Sequence, residues 1–218
     1  MHCHCKLICI YEPVGKSMKA AKSANPDTQA RIVEAAVNCV KRWGIEKVTL
    51  NDIAKEAGVT RPTVYSYFSN RDEVVQFALL QSAYGFAKKL LAHIEGYESV
   101  ERRTIEAVMF SLKTLPSEPY LELMSDAGLA SIMNEHALST KEGKQIRRSV
   151  FKLIFGGMDV DDDELDEIIE VATRFLLSLL TVKSEKKRSD REMRAFLCRR
   201  LLPALGMDPA AAIVAKSV

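Results

Sequence analysis

Gly58 separates two short segments that both read as helices, and this arrangement limits the folds open to the chain. Thr49 precedes the first segment and Thr60 precedes the second. Threonine is favoured before a helix because its hydroxyl accepts a hydrogen bond from a free backbone N–H group. Glycine often ends a helix because it tolerates a left-handed backbone conformation. Two short helices joined in this way form a helix-turn-helix pattern.

The rest of the 218-residue chain also has the pattern of helices. A first helix is expected over residues 26–43, after Asn25 as its cap and before Gly44 as its end. Further helices are expected near residues 71–93, 98–115, 162–182 and 190–205. We find no sustained alternation with period two and no Asn-Gly or Asp-Gly hairpin turn. The sequence therefore predicts an all-α fold.

The composition favours a globular protein that remains in the cytoplasm. Hydrophobic residues make up 47% of the chain and charged residues 28%. No apolar run reaches the roughly 18 to 20 residues that a membrane span needs, and the first residues do not resemble a secretory signal. The net charge is +2, but residues 19–72 contain nine basic and six acidic residues, a local excess of three. The basic excess therefore lies in the helix-turn-helix segment.

The second short helix has a composition suited to the major groove of double-stranded DNA. Val64 and Phe68 lie four residues apart and are predicted to face inward. The residues predicted to read bases are Arg61, Pro62 and Thr63. Arginine can donate two hydrogen bonds to guanine, threonine can bond a base edge, and proline offers an apolar contact.

Phosphate contacts are predicted around the same helix. The hydroxyls of Tyr65 and Tyr67 could reach phosphate oxygens, and Thr49 and Arg71 lie at helix N-termini, where the backbone favours anions. An alternative stays open at this point. A small helical bundle can contain the same caps and the same glycine turn, with Tyr65 packed in its core.

Residues 31 to about 80 resemble the N-terminal domain of TetR-type (tetracycline-repressor family) transcriptional regulators. The matching motifs are Ile32 to Ala36, Trp43-Gly44, Thr49, Ile53 to Thr60, Thr63 to Phe68, and Arg71 to Glu73. Two departures are small, since Trp43 replaces the commoner Phe and Arg71 replaces the commoner Lys. The resemblance implies a homodimeric, ligand-responsive repressor. It would bind a pseudo-palindromic double-stranded operator and leave it when a small hydrophobic molecule binds.

The resemblance also implies a division of the chain into domains. Residues 1–24 are expected to form a disordered extension. Residues 25–72 would be a three-helix helix-turn-helix DNA-binding domain, and residues 73–218 an all-helical domain for ligand binding and dimerisation.

Two sets of apolar residues are candidates for the functions of that second domain. The predicted dimer interface lies on the last two helices, and its residues are Ile168, Ile169, Ala172, Phe175, Leu176, Leu179, Phe196, Leu197 and Leu201. The predicted ligand pocket is lined by Phe86, Met109, Phe110, Tyr120, Met124 and Phe155. Both sets could instead fill the core of a single subunit.

Other functions are weaker interpretations of the sequence. Cys3, Cys5 and Cys9 stand beside two histidines, which suggests a metal- or redox-responsive regulator as an alternative. A structural zinc site usually draws ligands from two chain segments, and only one cluster exists here, so no metal and no cofactor are predicted. An acidic run over 159–170 resembles a calcium loop, but Glu164 stands where that loop requires glycine. The common catalytic motifs are missing from the sequence, so we predict that the protein is not an enzyme, with a helical enzyme that does not bind DNA as the remaining alternative.

Overall fold

The computed structural model describes residues 25–118, 141–156, 160–182 and 184–212, and within 141–147 it describes the side chain of Gln145 alone. These residues form helices and no strand, which confirms the predicted all-α fold. The helices in the described ranges are α1 Pro26–Trp43, α2 Leu50–Glu56, α3 Arg61–Tyr67, α4 Arg71–Ile94, α5 Val100–Thr114, α6 Lys141–Ile154, α7 Asp162–Thr181 and α8 Asp190–Ala204, with a short 3-10 helix at Leu115–Ser117. None of them is long and apolar enough to cross a membrane.

The described residues divide into two compact units, and the division falls within α4, between Phe86 and Ala87. The first unit contains residues 25–86, 117–118 and 141–146. The second contains residues 87–116, 147–156, 160–182 and 184–212. The predicted domain boundary after residue 72 lies at the start of α4, so the first compact unit extends further along this helix than the predicted DNA-binding domain. The predicted extension over residues 1–24 lies outside the described residues.

Local caps fix the ends of the first three helices. The Asn25 side chain accepts a hydrogen bond from the backbone of Asp27 at the start of α1, and Gly44 ends this helix with a φ of 77°. Thr49 and Asp52 cap α2 reciprocally, each side chain bonding the backbone N–H of the other. Thr60 caps α3 through the backbone N–H of Thr63. These caps confirm the predicted helix starts. The starts were predictable because each cap joins residues that are close together in sequence.

An apolar core joins α1, α2 and α3 to the start of α4. Phe68 is 1% exposed and meets the ring of Phe77 edge to face at a centroid distance of 5.3 Å. The fully buried members of this core include Ile32, Ala36, Cys39, Val40, Ile53, Val64 and Val74. Burial raises the pKa of the Cys39 thiol to about 11, with Glu56 and Asp52 adding to the effect, so this cysteine is neutral. The helical spacing of Ile32, Ala36, Cys39, Val40 and Trp43 predicts one buried apolar stripe on α1, and Trp43 departs from it. Its side chain is 40% exposed, and the Arg42 guanidinium lies 5.3 Å from the centre of its ring.

An ion pair with a buried carboxylate links α5 and α8 in the second unit. Glu106 is 2% exposed, and its two carboxylate oxygens accept hydrogen bonds from Arg194 Nε and Nη2 at 2.8 and 3.0 Å. Arg102 Nε lies 3.8 Å from the same carboxylate. Burial by itself raises the pKa of Glu106, but the hydrogen bonds and positive charge of Arg194, helped by Arg102, outweigh it and lower the pKa below its usual range. The carboxylate is therefore ionised at neutral pH.

The acidic residues before and within the first turn of α7 have a structural use. The carboxylate of Asp161 caps the helix by accepting from the backbone of Asp163 and Glu164 at 3.0 and 2.9 Å. Arg148 bonds both Asp162 and Asp166, and its hydrogen bond holds the pKa of Asp162 below its usual range. The described part of the acidic run therefore favours the start of a helix. Its first residue, Asp159, lies outside the described residues.

Candidate DNA-binding surface

One face of α3 is buried, which directs the opposite face outward. Val64 and Phe68 are 0% and 1% exposed. The turn before α3 passes through Gly58 at a φ of 64°, a left-handed conformation that glycine adopts without strain. Arg31 Nη2 donates to the carbonyl of Ala57 at 2.7 Å and so ties this turn to α1. The core and the turn together fix the orientation of α3.

The predicted base-reading residues lie on the accessible side of α3. Arg61 and Pro62 are exposed, and Thr63 is half-buried. The Arg61 guanidinium donates from Nη2 to the Tyr65 hydroxyl at 3.1 Å, and its carbon lies 5.5 Å from the centre of the Tyr65 ring. The hydroxyl of Thr63 lies 2.8 Å from the hydroxyl of Thr60. Arg61 retains free N–H groups after its bond to Tyr65, because a guanidinium has five.

The two tyrosines predicted to bind phosphate are placed differently. Tyr65 is 46% exposed, so the alternative in which it packs in the core does not hold. Tyr67 is half-buried, and its hydroxyl accepts a hydrogen bond from the backbone N–H of Asn25 at 3.0 Å. The Tyr67 hydroxyl keeps its own hydrogen and can still donate to a phosphate. Of the two tyrosines, Tyr65 is therefore the more exposed.

The hydroxyl of Thr49 is already occupied by the cap of α2. It donates to Asp52 Oδ2 at 2.6 Å and accepts from the backbone N–H of Asp52 at 3.3 Å. These bonds, with that from the Thr49 backbone, hold the pKa of Asp52 below its usual range, so a negative charge lies beside the predicted phosphate contact. A phosphate at this point would therefore be repelled by Asp52 unless another group offsets it.

Arg71 is turned toward the protein. Its Nε donates to the carbonyl of Val48 at 2.7 Å, Nη2 bonds the carbonyl of Ile45, and Nη1 donates to Asp72 at 2.8 Å. The side chain thereby ties the loop before α2 to the start of α4. The sequence gives no signal for the bonds to Val48 and Ile45, because their acceptors are backbone carbonyls more than 20 residues away. The phosphate contact of Arg71 stays a prediction. The structure adds a second role for this side chain, which is to hold the loop before α2 against the start of α4.

The predicted dimer-interface residues fall into two groups. Five of them are buried within this chain, namely Ile168, Ile169, Ala172, Leu197 and Leu201. Phe175, Leu176, Leu179 and Phe196 are only partly buried. The rings of Phe175 and Phe196 lie side by side with centroids 6.0 Å apart, so they join α7 and α8 into one partly open apolar surface. These four residues have surface to offer a partner, while Leu197 and Leu201, at 0% exposure, belong to the core.

The predicted ligand-pocket residues are only partly described. Met109 and Phe155 are buried in the second unit, and Phe110 is half-buried beside His93, with ring centroids 5.0 Å apart. Phe86 is half-buried in the first unit. Tyr120 and Met124 lie outside the described residues. The pocket as a whole stays a prediction.

Comparison with known proteins identifies the segment that carries this surface. Residues 32–77 match the family described as bacterial regulatory proteins, tetR family. The regulator TtgR of Pseudomonas putida is 37% identical over 84 residues, a match that covers 38% of this chain and 40% of TtgR. Residues 32–77 are therefore similar to the DNA-binding segment of tetR-family regulators. This confirms the resemblance inferred from the motifs around α2 and α3.

Solved structures extend the likeness beyond the matched segment, for the fold alone. A tetR-family transcriptional regulator from Streptomyces coelicolor aligns with a TM-score of 0.60 at 16% identity, covering 84% of each chain. The multidrug binding protein EbrR, solved with imidazole, aligns with a TM-score of 0.59 at 21% identity, covering 85% of this chain and 94% of that one. The curated relative TtgR, by contrast, is matched over less than half of its length.

Proposed function

We propose that this protein is a DNA-binding transcriptional regulator that reads its operator with α3. The observation that carries the proposal is the contrast between the two faces of this helix. Val64 and Phe68 on one face are fully buried, while Arg61, Pro62 and Tyr65 are exposed. A helix held in this way offers hydrogen-bond donors and an aromatic ring to the major groove of DNA and to the phosphate backbones on either side of it. The match to the tetR family over residues 32–77 supports the same function.

The regulator acts as a homodimer in this proposal. Phe175, Leu176, Leu179 and Phe196 leave part of their apolar surface open, and Val182 at the end of α7 is 65% exposed. Two copies of this surface related by a two-fold axis would cover one another. A symmetric dimer presents two α3 helices, which suits a pseudo-palindromic operator with half-sites about 34–36 Å apart or a multiple of that distance.

Repression relieved by a small hydrophobic molecule is the proposed mode of control. The second unit contains apolar and aromatic side chains that could line a pocket, namely Met109, Phe110 and Phe155. EbrR, which has the same fold, is named a multidrug binding protein, and this supports an apolar effector for the present chain. The effector weakens DNA binding only if it binds the conformation that does not bind DNA more tightly than the one that does. The ratio of its two affinities sets the largest possible loss of DNA affinity. A protein with this function acts in the cytoplasm and needs no catalytic group.

DNA binding is tested first with the full chain and a pool of duplexes that share a randomised centre. Repeated selection should recover a sequence with two related half-sites, and the logarithm of its affinity should fall linearly with the logarithm of salt concentration. Footprinting should show protection on one face of the duplex, at two places. Failure to retain any duplex at low ionic strength would contradict the proposal.

Dimerisation is tested by placing a charge on the open apolar surface. Phe175→Glu should convert a dimer into a monomer in sedimentation velocity and weaken operator binding, because a charge buried between two copies is costly. Arg174→Glu is the control, since Arg174 lies on the same helix and bonds only Glu170 on the exposed surface. A dimer that persists in the Phe175→Glu protein would place the interface elsewhere.

A further inference from the structure

We propose that Tyr65 is a positioning residue for Arg61, and that this pair sets which base pair the regulator reads. The inference rests on the proposed DNA-binding function and deepens it. Tyr65 is otherwise predicted to bind phosphate. The structure assigns it a second task, which is to hold the Arg61 guanidinium in one direction before DNA arrives.

Two contacts join these residues. The Arg61 Nη2 atom donates to the Tyr65 hydroxyl at 3.1 Å, and the guanidinium carbon lies 5.5 Å from the ring centre. The residues are four apart on α3, so their side chains share one face of the helix. Both side chains are exposed, and no other partner of Arg61 is recorded within the described ranges. Tyr65 is therefore the group that restrains Arg61.

The restraint matters because arginine is long and flexible. Fixing such a side chain against a base costs rotamer freedom, and a contact that already exists in the free protein lowers this cost. The bond to Tyr65 uses one of the five guanidinium N–H groups, so a bidentate contact with a guanine remains open to Arg61. The Tyr65 hydroxyl accepts from Arg61 and keeps its own hydrogen, with which it can still donate to a phosphate. The pair would thus link a base contact to the backbone beside it.

Tyr67 offers a matched control on the same helix. Its hydroxyl accepts from the backbone N–H of Asn25 at 3.0 Å, and it has no recorded contact with Arg61 in the described part of the chain. Removing its hydroxyl should therefore leave the direction of Arg61 unchanged. Phenylalanine at either position keeps the ring, so the fold is preserved, and thermal unfolding followed by circular dichroism verifies this.

The experiment uses the duplex that the full chain selects from the randomised pool. Affinities are measured for that duplex, for each of its single-base variants, and for an unrelated duplex of the same length. Arg61→Ala identifies the base pair at which discrimination is lost. At that base pair, Tyr65→Phe should reduce discrimination about 3- to 10-fold, the usual worth of one hydrogen bond, beyond any loss of a phosphate contact that lowers affinity equally for every duplex. Tyr67→Phe should leave discrimination there intact.

A double variant decides between positioning and an independent contact. If Tyr65 acts through Arg61, Tyr65→Phe has no further effect on discrimination in the Arg61→Ala protein. Two results would overturn the proposal. One is an equal loss of affinity by Tyr65→Phe on all duplexes, and the other is a double variant in which the two losses multiply. A wild-type chain that retains no duplex would overturn the proposed function itself, which is a different outcome from a chain that binds DNA without this coupling.

Discussion

The two compact units are stabilised in different ways. Around α1, α2 and α3 the interior is apolar, local caps satisfy the backbone at the helix starts, and Arg31 and Arg71 bond backbone carbonyls more than 20 residues away. In the second unit, α5 and α8 are joined by a carboxylate that is almost completely buried and by an arginine 88 residues further along the chain. Among the described residues, the core around α1, α2 and α3 is therefore apolar, whereas the second unit holds a buried carboxylate through a long-range ion pair.

This difference explains what an alteration in each unit should do. Loss of an apolar side chain in the first unit leaves a cavity whose cost depends on how far the neighbours can relax. Loss of Arg194 leaves the buried charge of Glu106 without its main partner. Hydrogen exchange of peptides from each unit can show which one has been loosened.

Phe68→Ala should have the largest effect. Removing this buried ring should lower the free energy of unfolding by about 3–5 kcal/mol, because it empties the centre of the first unit. Urea unfolding measures the loss, and faster hydrogen exchange should be confined to peptides from α1, α2, α3 and the start of α4. Tyr65→Ala is the control, since it removes an exposed ring from the same helix. Similar losses for the two variants would contradict the assigned core.

Arg194→Met should have the next largest effect, and on the other unit. The arginine is replaced by an apolar side chain of comparable length, and Glu106 is left with only Arg102 nearby at 3.8 Å. We expect a loss of about 3 kcal/mol, with faster exchange in α5 and α8. The control is Arg174→Met, which breaks the exposed pair with Glu170 and should cost less than about 0.5 kcal/mol. Equal effects of the two variants would mean that the buried pair contributes no more than a surface pair.

The pH dependence of stability provides a smaller test of the same ion pair. The folded protein holds the pKa of Glu106 below the usual value of about 4.3. The unfolded chain therefore takes up its proton first as the pH falls, and the contribution of Glu106 is present above about pH 4.3 and lost as the pH drops through the folded pKa. Glu106→Gln cannot titrate, so its unfolding free energy should fall less steeply below about pH 4.5. If the free energy of unfolding of the wild-type and Glu106→Gln proteins fell in parallel as the pH dropped, the ion pair would be excluded as a source of acid sensitivity.

The same contrast shows how far the sequence could predict the structure. The caps Asn25, Thr49 and Thr60 mark the helix starts because each acts on a backbone N–H group two or three residues away. The burial of Val64 and Phe68 follows from their helical spacing. The resemblance to the tetR family could be inferred for the same reason, because the matching motifs lie in one continuous segment.

Long-range contacts could not be predicted in this way. Nothing local marks Glu106 and Arg194 as partners, and Arg71 bonds carbonyls that every residue possesses. Trp43 fits the apolar stripe of α1 by spacing, yet it lies at the end of the helix, where Arg42 covers one side of its ring. Among the predicted interface residues, spacing could not separate Leu197, which is fully buried, from Phe196, which is partly open.

The measurement that tests the central claim most directly is the binding of the Arg61→Ala protein to two duplexes, the selected operator and an unrelated sequence of equal length. If the exposed face of α3 reads bases, affinity for the operator should fall about 5- to 150-fold, equivalent to about 1–3 kcal/mol, and single-base discrimination should be lost at one position in each half-site. Affinity for the unrelated duplex should fall only slightly, through the loss of one positive charge. An operator affinity equal to that of the wild-type protein, or an equal loss on both duplexes, would contradict the assignment of α3 as the reading helix.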